Sequence, residues 1–127
     1  MPNNDQIPIP KQKPENLEPR TFRFAKDCKE LVKSLPKLAT NFEYSKQLTR
    51  SSGSVAANYI EANEALSKKD FVMRLRIVRK EVKESRMWLK LIDTSDKGEL
   101  KRVQLIDEST ELLKIFSAII DKVAQPV

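Results

Sequence analysis

The stretch that decides the fold is residues 67–94, with the sequence SKKDFVMRLRIVRKEVKESRMWLKLIDT. Apolar or small residues recur in it at alternating intervals of four and three: Phe71, Leu75, Val78, Val82, Ser85, Leu89 and Ile92. This spacing lines one face of an α-helix and is typical of the seam of a left-handed helical bundle. The sequence therefore predicts one uninterrupted amphipathic helix, opened by a capping box in which Ser67 precedes Asp70 by three positions.

The same stretch is strongly basic. It contains nine Lys or Arg against four Asp or Glu, which gives the stretch a net charge of +5. The whole 127-residue chain has a formal net charge of +6, so nearly all of the excess positive charge lies in this stretch. The candidate nucleic-acid-binding residues are Lys68, Lys69, Arg76, Arg79, Lys80 and Lys83. Unpaired cations in a helical row neutralise phosphates, and such binding is directed at the backbone with little sequence preference. The alternative is a solvated face with local pairs such as Lys80–Glu84.

Composition excludes several kinds of catalytic and metal site. The chain contains no histidine, so Ser-His-Asp and Cys-His triads, histidine-ligated zinc and Glu-x-x-His di-iron sites cannot be built. Neither a dense Asp/Glu cluster nor a phosphate-binding loop is present in the sequence. We therefore predict a non-enzymatic protein without catalytic residues, metal site or cofactor.

Residue usage also bounds the fold class and the compartment. Two glycines in the chain argue against an all-β fold, which needs many tight turns. The single Cys28 cannot form an internal disulfide and falls at helical spacing with Phe24 and Leu31, which indicates a small core residue in a reducing compartment. No apolar run reaches the roughly 18 residues of a membrane span, and no signal-peptide core is present. These features predict a cytoplasmic protein with no membrane contact.

The chain is predicted to contain two regions. Residues 1–20 hold five of the seven prolines and are expected to be an extended or disordered tail, or to place the IPIP motif at 7–10 along a partner subunit. Residues 21–125 are expected to form helices over about 20–35, 40–66, 67–94 and 99–124. Pro36 ends the first, Thr40 or Asn41 caps the second, and Gly98 breaks the chain before the fourth, with Asp96 as its cap. Short links between four helices predict an all-α, up-down-up-down antiparallel four-helix bundle.

Two sequence features bear on how this bundle is packed. Gly53 lies inside the second predicted helix and marks either a kink or a close approach of another helix, at a cost of about 1 kcal/mol relative to alanine. The fourth predicted helix carries two apolar stripes, one formed by Val103, Ile106, Thr110, Leu113 and Ile120, and the other by Leu105, Leu112, Phe116 and Ile119. Because one bundle core requires a single stripe, we expect the excess apolar surface to lie against another subunit.

A polar stripe accompanies the seam of the second predicted helix, which is formed by Leu48, Ser52, Val55, Tyr59, Ala62 and Leu66. The members of the stripe follow at intervals of four, four and three and share one face: Arg50, Ser54, Asn58 and Glu61. The third helix offers a matching set: Glu81, Glu84, Ser85 and Arg86. Since buried polar groups need hydrogen-bond partners, we predict that Asn58 and Glu61 meet Arg79 or Arg86 and fix the register of the bundle or a contact between subunits. A catalytic role for this structural polar network is the alternative.

The second and third helices together resemble the 23S rRNA intervening-sequence proteins of bacteria, the S23 family. The resemblance lies in the string QLTRSSGSVAANYIEANEALSKKDF at 47–71 and in the KEVKESRMWL run at 80–89. The matching positions are Gln47, Leu48, Arg50, Ser54, Val55, Asn58, Glu61, Ser67, Lys68, Lys69, Phe71 and Leu75. Gly53 departs from the family pattern, which usually has a β-branched or small apolar residue there.

The resemblance implies a four-helix bundle that assembles as a ring-like homopentamer and whose molecular role is not established. A related bundle, the accessory protein of diversity-generating retroelements, is also pentameric and binds nucleic acid and a reverse transcriptase. By this resemblance the expected partners are further copies of the chain, and RNA, DNA or a nucleic-acid-processing protein. The alternative is a purely structural or protein-interaction module that binds no nucleic acid.

Overall fold

Four helices make up the part of the chain described by a computed structural model, residues 16–125. They are α1 (Leu17–Lys33), α2 (Ala39–Asn63), α3 (Lys68–Leu91) and α4 (Asp96–Val123), and this range contains no β-strand. Each helix packs against the next one in sequence, and α4 packs back against α1. This order of neighbours is that of an up-down-up-down bundle, so the predicted all-α class and bundle are confirmed.

The core of the bundle is built around the predicted face of α3. The residues of this face are at most 3% exposed: Phe71, Leu75, Val78, Val82, Ser85, Leu89 and Ile92. Phe24, Cys28 and Leu31 of α1 and Leu48 and Val55 of α2 are equally buried in the same cluster. The three-four spacing predicted this core because it places every member on the inward side of one helix.

The start of α3 is the predicted capping box. Ser67 has an extended backbone, and its Oγ accepts a hydrogen bond from the Asp70 backbone N–H at 3.1 Å. This bond satisfies one of the N–H groups that the first turn of a helix leaves without a partner. The helix itself is shorter than predicted, since it ends at Leu91 and not at Thr94.

The first helix begins earlier than predicted. Residues 17–20, assigned to the tail on sequence, are helical, and Pro19 lies in the first turn of α1. Proline is tolerated there because the N–H that it lacks would have no helical acceptor. Residues 1–15 of the predicted tail, including the IPIP motif, lie outside the described residues.

Both glycines differ from expectation. Helix α2 continues through Gly53, and a Cβ built on this residue would have no atom within 4 Å, so the predicted close approach of another helix is wrong. Gly98 lies inside the first turn of α4, where it is buried near Leu31. Ser95, and not Asp96, is the residue that precedes α4, and its side chain makes no capping hydrogen bond.

The ends of α2 also differ from those predicted. Thr40 and Asn41 lie within the helix, which begins at Ala39 after an extended Leu38. At the other end α2 stops at Asn63, so Leu66, predicted as the last seam residue, lies in the link to α3 and is 92% exposed. The prediction failed at Leu66 because the apolar spacing continues in the sequence beyond Asn63, where the helix ends.

The two stripes of α4 have different environments. The stripe at Leu105, Leu112, Phe116 and Ile119 is buried in the core. In the other stripe Ile120 is buried, Ile106, Thr110 and Leu113 are half-buried, and Val103 is 43% exposed. Part of this stripe lies along α3, because Arg86 Nε donates to Thr110 Oγ1 at 3.0 Å. None of the four described helices is long and apolar enough to cross a membrane.

Candidate functional site

Four of the six candidate cations line one basin on the surface of α3. The basin has a volume of about 970 Å³ and lies over the amino-terminal half of the helix. Its basic side chains are those of Lys68, Lys69, Arg76 and Lys80. Its other described lining residues are Ser67, Asp70, Val72, Met73, Ile77 and, from the end of α4, Ala124. These residues of α3 and its N-cap Ser67, together with Ala124 at the end of α4, line a single concave surface, which we call the α3 basin.

The basic side chains of the α3 basin form no ion pair with any described residue, although Asp70 lines the same basin. Within residues 16–125, no carboxylate lies within 4.0 Å of any of the six candidate cations. Glu84, the local partner expected for Lys80 on a solvated face, instead binds Arg50 Nη2 through its Oε1 at 3.0 Å. Because Glu84 is drawn toward α2, the positive charge of Lys80 is left for solvent or for an external anion.

The remaining two candidate cations lie outside the α3 basin. Lys83 is exposed one turn beyond Lys80, and so extends the row formed by Arg76 and Lys80. Arg79 is half-buried and lines no part of the basin. Lys68 is half-buried as well but lines the basin, so Arg79 is the half-buried cation of the predicted set that lies outside it.

Part of the predicted polar network forms across the α2–α3 interface. Arg50 Nη1 lies 3.4 Å from Glu81 Oε1, and Arg50 Nη2 lies 3.0 Å from Glu84 Oε1. Glu81 is only 6% exposed. A carboxylate removed from water to this degree requires a nearby cation, so Arg50 stabilises the buried charge and ties the two helices together.

The other predicted pairs do not form within the chain. Asn58 Nδ2 donates to the Ser54 carbonyl at 2.9 Å, and Asn58 Oδ1 accepts from Arg74 Nη1 at 3.3 Å. Glu61 is exposed and makes no hydrogen bond or ion pair with any described residue. The expected pairing of Asn58 and Glu61 with Arg79 or Arg86 as a lock on bundle register is therefore wrong.

Antiparallel register explains this error. Arg50 faces Glu81 and Glu84, so positions on α3 fall in number as those on α2 rise, and Asn58 comes level with Arg74. Arg86 is displaced from this level by about three turns and turns toward α4, where it donates to Thr110. Charge type alone could not distinguish Arg74 from the two later arginines.

One structural polar residue was not recognised as such from the sequence. Asn41 is 2% exposed, and its Nδ2 donates to the carbonyls of Pro36 at 3.0 Å and Asp93 at 2.9 Å. Its Oδ1 accepts from the Asp93 N–H at 3.0 Å, so this amide joins the α1–α2 link to the end of α3. The available signal was its spacing, since Asn41 precedes the seam residue Leu48 by seven positions.

The two chemically distinctive side chains of the core are structural. Cys28 is fully buried, and desolvation raises the pKa of its thiol to about 12, which keeps it protonated and unreactive. Trp88 is half-buried and stacks on Tyr44 with ring centroids 5.7 Å apart. Residues 16–125 contain no group of three or more His, Cys, Asp or Glu side chains that could hold a metal ion.

The bundle, its α2–α3 polar network and its basic basin define an all-α protein whose functional features lie on helix faces. Residues 18–118 match the family described as 23S rRNA-intervening sequence protein, and the chain belongs to this family. The chain is also similar to a protein with unknown function from the S23 ribosomal protein family of Bacteroides thetaiotaomicron, solved by crystallography. The two are 31% identical with a TM-score of 0.71, over 82% of this chain and 97% of that chain. No curated protein matches the chain.

Proposed function

We propose that this protein is a non-enzymatic, self-assembling helical bundle that binds the backbone of RNA or DNA through the α3 basin. The observation that supports binding is the convergence of four cations that have no carboxylate partner in the described chain. A cation with a structural role forms an ion pair across a helix interface, as Arg50 does with Glu84. Within residues 16–125 the cations of the basin have no such partner, and phosphate is the external anion that nucleic acid presents in rows.

The binding mechanism is electrostatic. The inward face of α3 is locked in the core, so the outward cations start from a fixed backbone and few degrees of freedom are lost when they meet phosphates. Each phosphate neutralised releases condensed counterions, and this release drives binding at low salt. Arg76 and Lys80 lie one turn apart and therefore act on neighbouring points of one strand.

A pair of charge-matched double variants tests this proposal. Arg76→Gln/Lys80→Gln removes two cations of the basin, and Lys37→Gln/Lys90→Gln removes two exposed cations outside it. Binding of a labelled single-stranded RNA is followed by fluorescence anisotropy across a salt series. We expect the first variant to bind more weakly and the slope of log K against log salt to flatten by about 1.4, since each single-strand contact contributes about 0.7.

The control variant has the same net charge and should keep most of the affinity and the slope. Binding that does not change with salt, or that falls equally in both double variants, contradicts a site at the α3 basin. The same assay repeated with DNA shows whether binding is restricted to RNA. Contacts to the backbone alone do not distinguish the two nucleic acids, so similar affinities are expected.

The second candidate function is a purely structural or protein-interaction module. It is favoured by exposed apolar side chains, among them Phe22 of α1, which is 62% exposed, and Ile60 of α2, which is 43% exposed. These two residues line a groove of about 480 Å³ between α1 and α2. Under this candidate the chain assembles through apolar surfaces and shows no salt-dependent affinity for nucleic acid, so the anisotropy assay distinguishes the two functions.

A further inference from the structure

We propose that the α3 basin selects single-stranded over double-stranded nucleic acid. This inference rests on the proposed function, which requires only that phosphates bind, and goes beyond it by naming the form of nucleic acid that fits the basin. The geometry that supports it is the arrangement of cations around apolar side chains and the burial of α3 between two other helices.

Apolar side chains lie between the cations of the basin. Met73 is 46% exposed, Ile77 is half-buried, and Val72 closes the lining on the core side at 7% exposure. On the helix surface Met73 is adjacent to Lys69 and Ile77, each four residues away. A ligand that only presents phosphates leaves these apolar groups against water, whereas a ligand with an accessible base covers them.

A duplex offers the α3 basin its phosphates and groove edges instead of its base faces. The major groove of B-DNA is about 12 Å wide and accommodates one helix, whose diameter with side chains is about 10–12 Å. Helix α3 packs against α2 on one side and α4 on the other, with neighbouring axes about 8–10 Å apart. A body wider than one helix enters that groove only in part, and the major groove of an RNA duplex is too deep and narrow for side chains to read. In both duplexes the base faces stay stacked on one another and out of reach of Met73 and Ile77.

A single strand is not restricted in this way. Its bases are free to unstack, so one strand can place phosphates on the basic side chains and a base against Met73 and Ile77. The described lining contains no aromatic residue, so the contact relies on thioether and aliphatic groups instead of ring stacking. We therefore expect a preference of about fivefold, equal to the lower end of the contribution of a base stacked on an aromatic side chain.

Two methionines of α3 provide a matched test. Met73 is 46% exposed inside the basin and Met87 is 45% exposed on the same helix outside it. A labelled oligoribonucleotide of mixed sequence is titrated as a single strand and as a duplex with its complement. Met73→Gln should lose the preference for the single strand, and Met87→Gln should keep it. Met73→Leu, which keeps an apolar side chain at this position, should retain the preference for the single strand. None of these changes alters charge, so the salt slope should stay constant.

The outcomes separate this inference from the proposed function. Equal or tighter binding of the duplex, with a normal salt slope, overturns the single-strand preference and leaves nucleic-acid binding intact. Absence of salt-dependent binding to either form overturns both. Equal loss of preference in Met73→Gln and Met87→Gln also overturns the inference, since it places the base contact outside the basin. Circular dichroism melting of each variant shows whether any loss reflects unfolding.

Discussion

At residue scale, Gly53 occupies a helical position that does not require glycine. It is exposed, and nothing lies within 4 Å of a Cβ built there. Alanine would reduce the backbone freedom of the unfolded chain without creating a clash. We expect Gly53→Ala to raise the free energy of unfolding by about 1 kcal/mol in urea titrations. Ala57→Gly, at another exposed position of α2, should lower it by a similar amount. A destabilised Gly53→Ala variant would show that the glycine has a packing role.

Cys28 links stability to alkaline pH. Burial raises the pKa of its thiol from 9.0 to about 12, so the folded state keeps a proton that the unfolded state loses. The stabilisation that the buried neutral thiol gives to the folded state is complete below pH 9 and is lost as the pH rises toward 12. The stability difference between the unmodified chain and Cys28→Ala should therefore shrink by about 1.4 kcal/mol per pH unit above pH 9. Urea titrations at several pH values measure this gap, and a constant gap contradicts the burial effect.

Sequence reasoning succeeded at the residue scale where the physical signal is local. Ser67 and Asp70 are three positions apart, and their capping bond depends only on the backbone between them. The role of Asn41 depends on the carbonyl of Asp93, which is distant in sequence. Side-chain chemistry therefore predicted the cap of α3, but the bond that joins α2 to the end of α3 required the structure.

At the scale of the helices, the caps of α3 and α4 form a natural comparison. Ser67 accepts a hydrogen bond from the Asp70 N–H, whereas Ser95 makes no side-chain capping bond. We expect Ser67→Ala to lower the free energy of unfolding by about 1 kcal/mol. Ser95→Ala should change it much less, because it removes no bond. Thermal or urea unfolding followed by circular dichroism measures both, and equal losses would contradict the assigned cap.

The charge pair of Arg50 and Glu81 contributes to the contact between α2 and α3. Arg50→Met leaves the buried Glu81 carboxylate without its cation, and we expect a loss of about 1–3 kcal/mol in the free energy of unfolding. Glu81→Met in the same chain removes the stranded charge and should restore most of that loss. Glu84→Gln is the control and should cost below about 1 kcal/mol, since its side chain is 33% exposed. Additive losses in the Arg50/Glu81 double variant would show that the pair is not coupled.

At the scale of the whole molecule, assembly is the property that the single chain leaves to experiment. Val103 and Leu100 of α4 are 43% and 67% exposed, and such apolar surface favours contact between copies. The family resemblance implies a pentamer, and we expect native mass spectrometry to find a species of about 73 kDa, five copies of the 14.6 kDa chain. Light scattering checks the same mass in solution. A monomer across the accessible concentration range contradicts self-assembly.

The sequence by itself determined the helices, the core face of α3 and the family. These depend on periodicity, capping and motif, which are read along one chain without knowledge of its neighbours. The sequence did not determine which residues pair across helices. Charge and spacing favoured Arg79 and Arg86 as partners of Asn58, whereas in the structure Arg74 donates a hydrogen bond to Asn58.

Only the tertiary structure decided the α3 basin and the partner of Glu84. Both depend on the relative register and rotation of packed helices, which are fixed by link lengths and by the fit of side chains across the core. The basic row was visible in the sequence, but the same row on a solvated helix would pair Lys80 with Glu84. Packing of α2 against α3 brings Arg50 to Glu84 instead, and this tertiary contact leaves Lys80 without its local carboxylate partner.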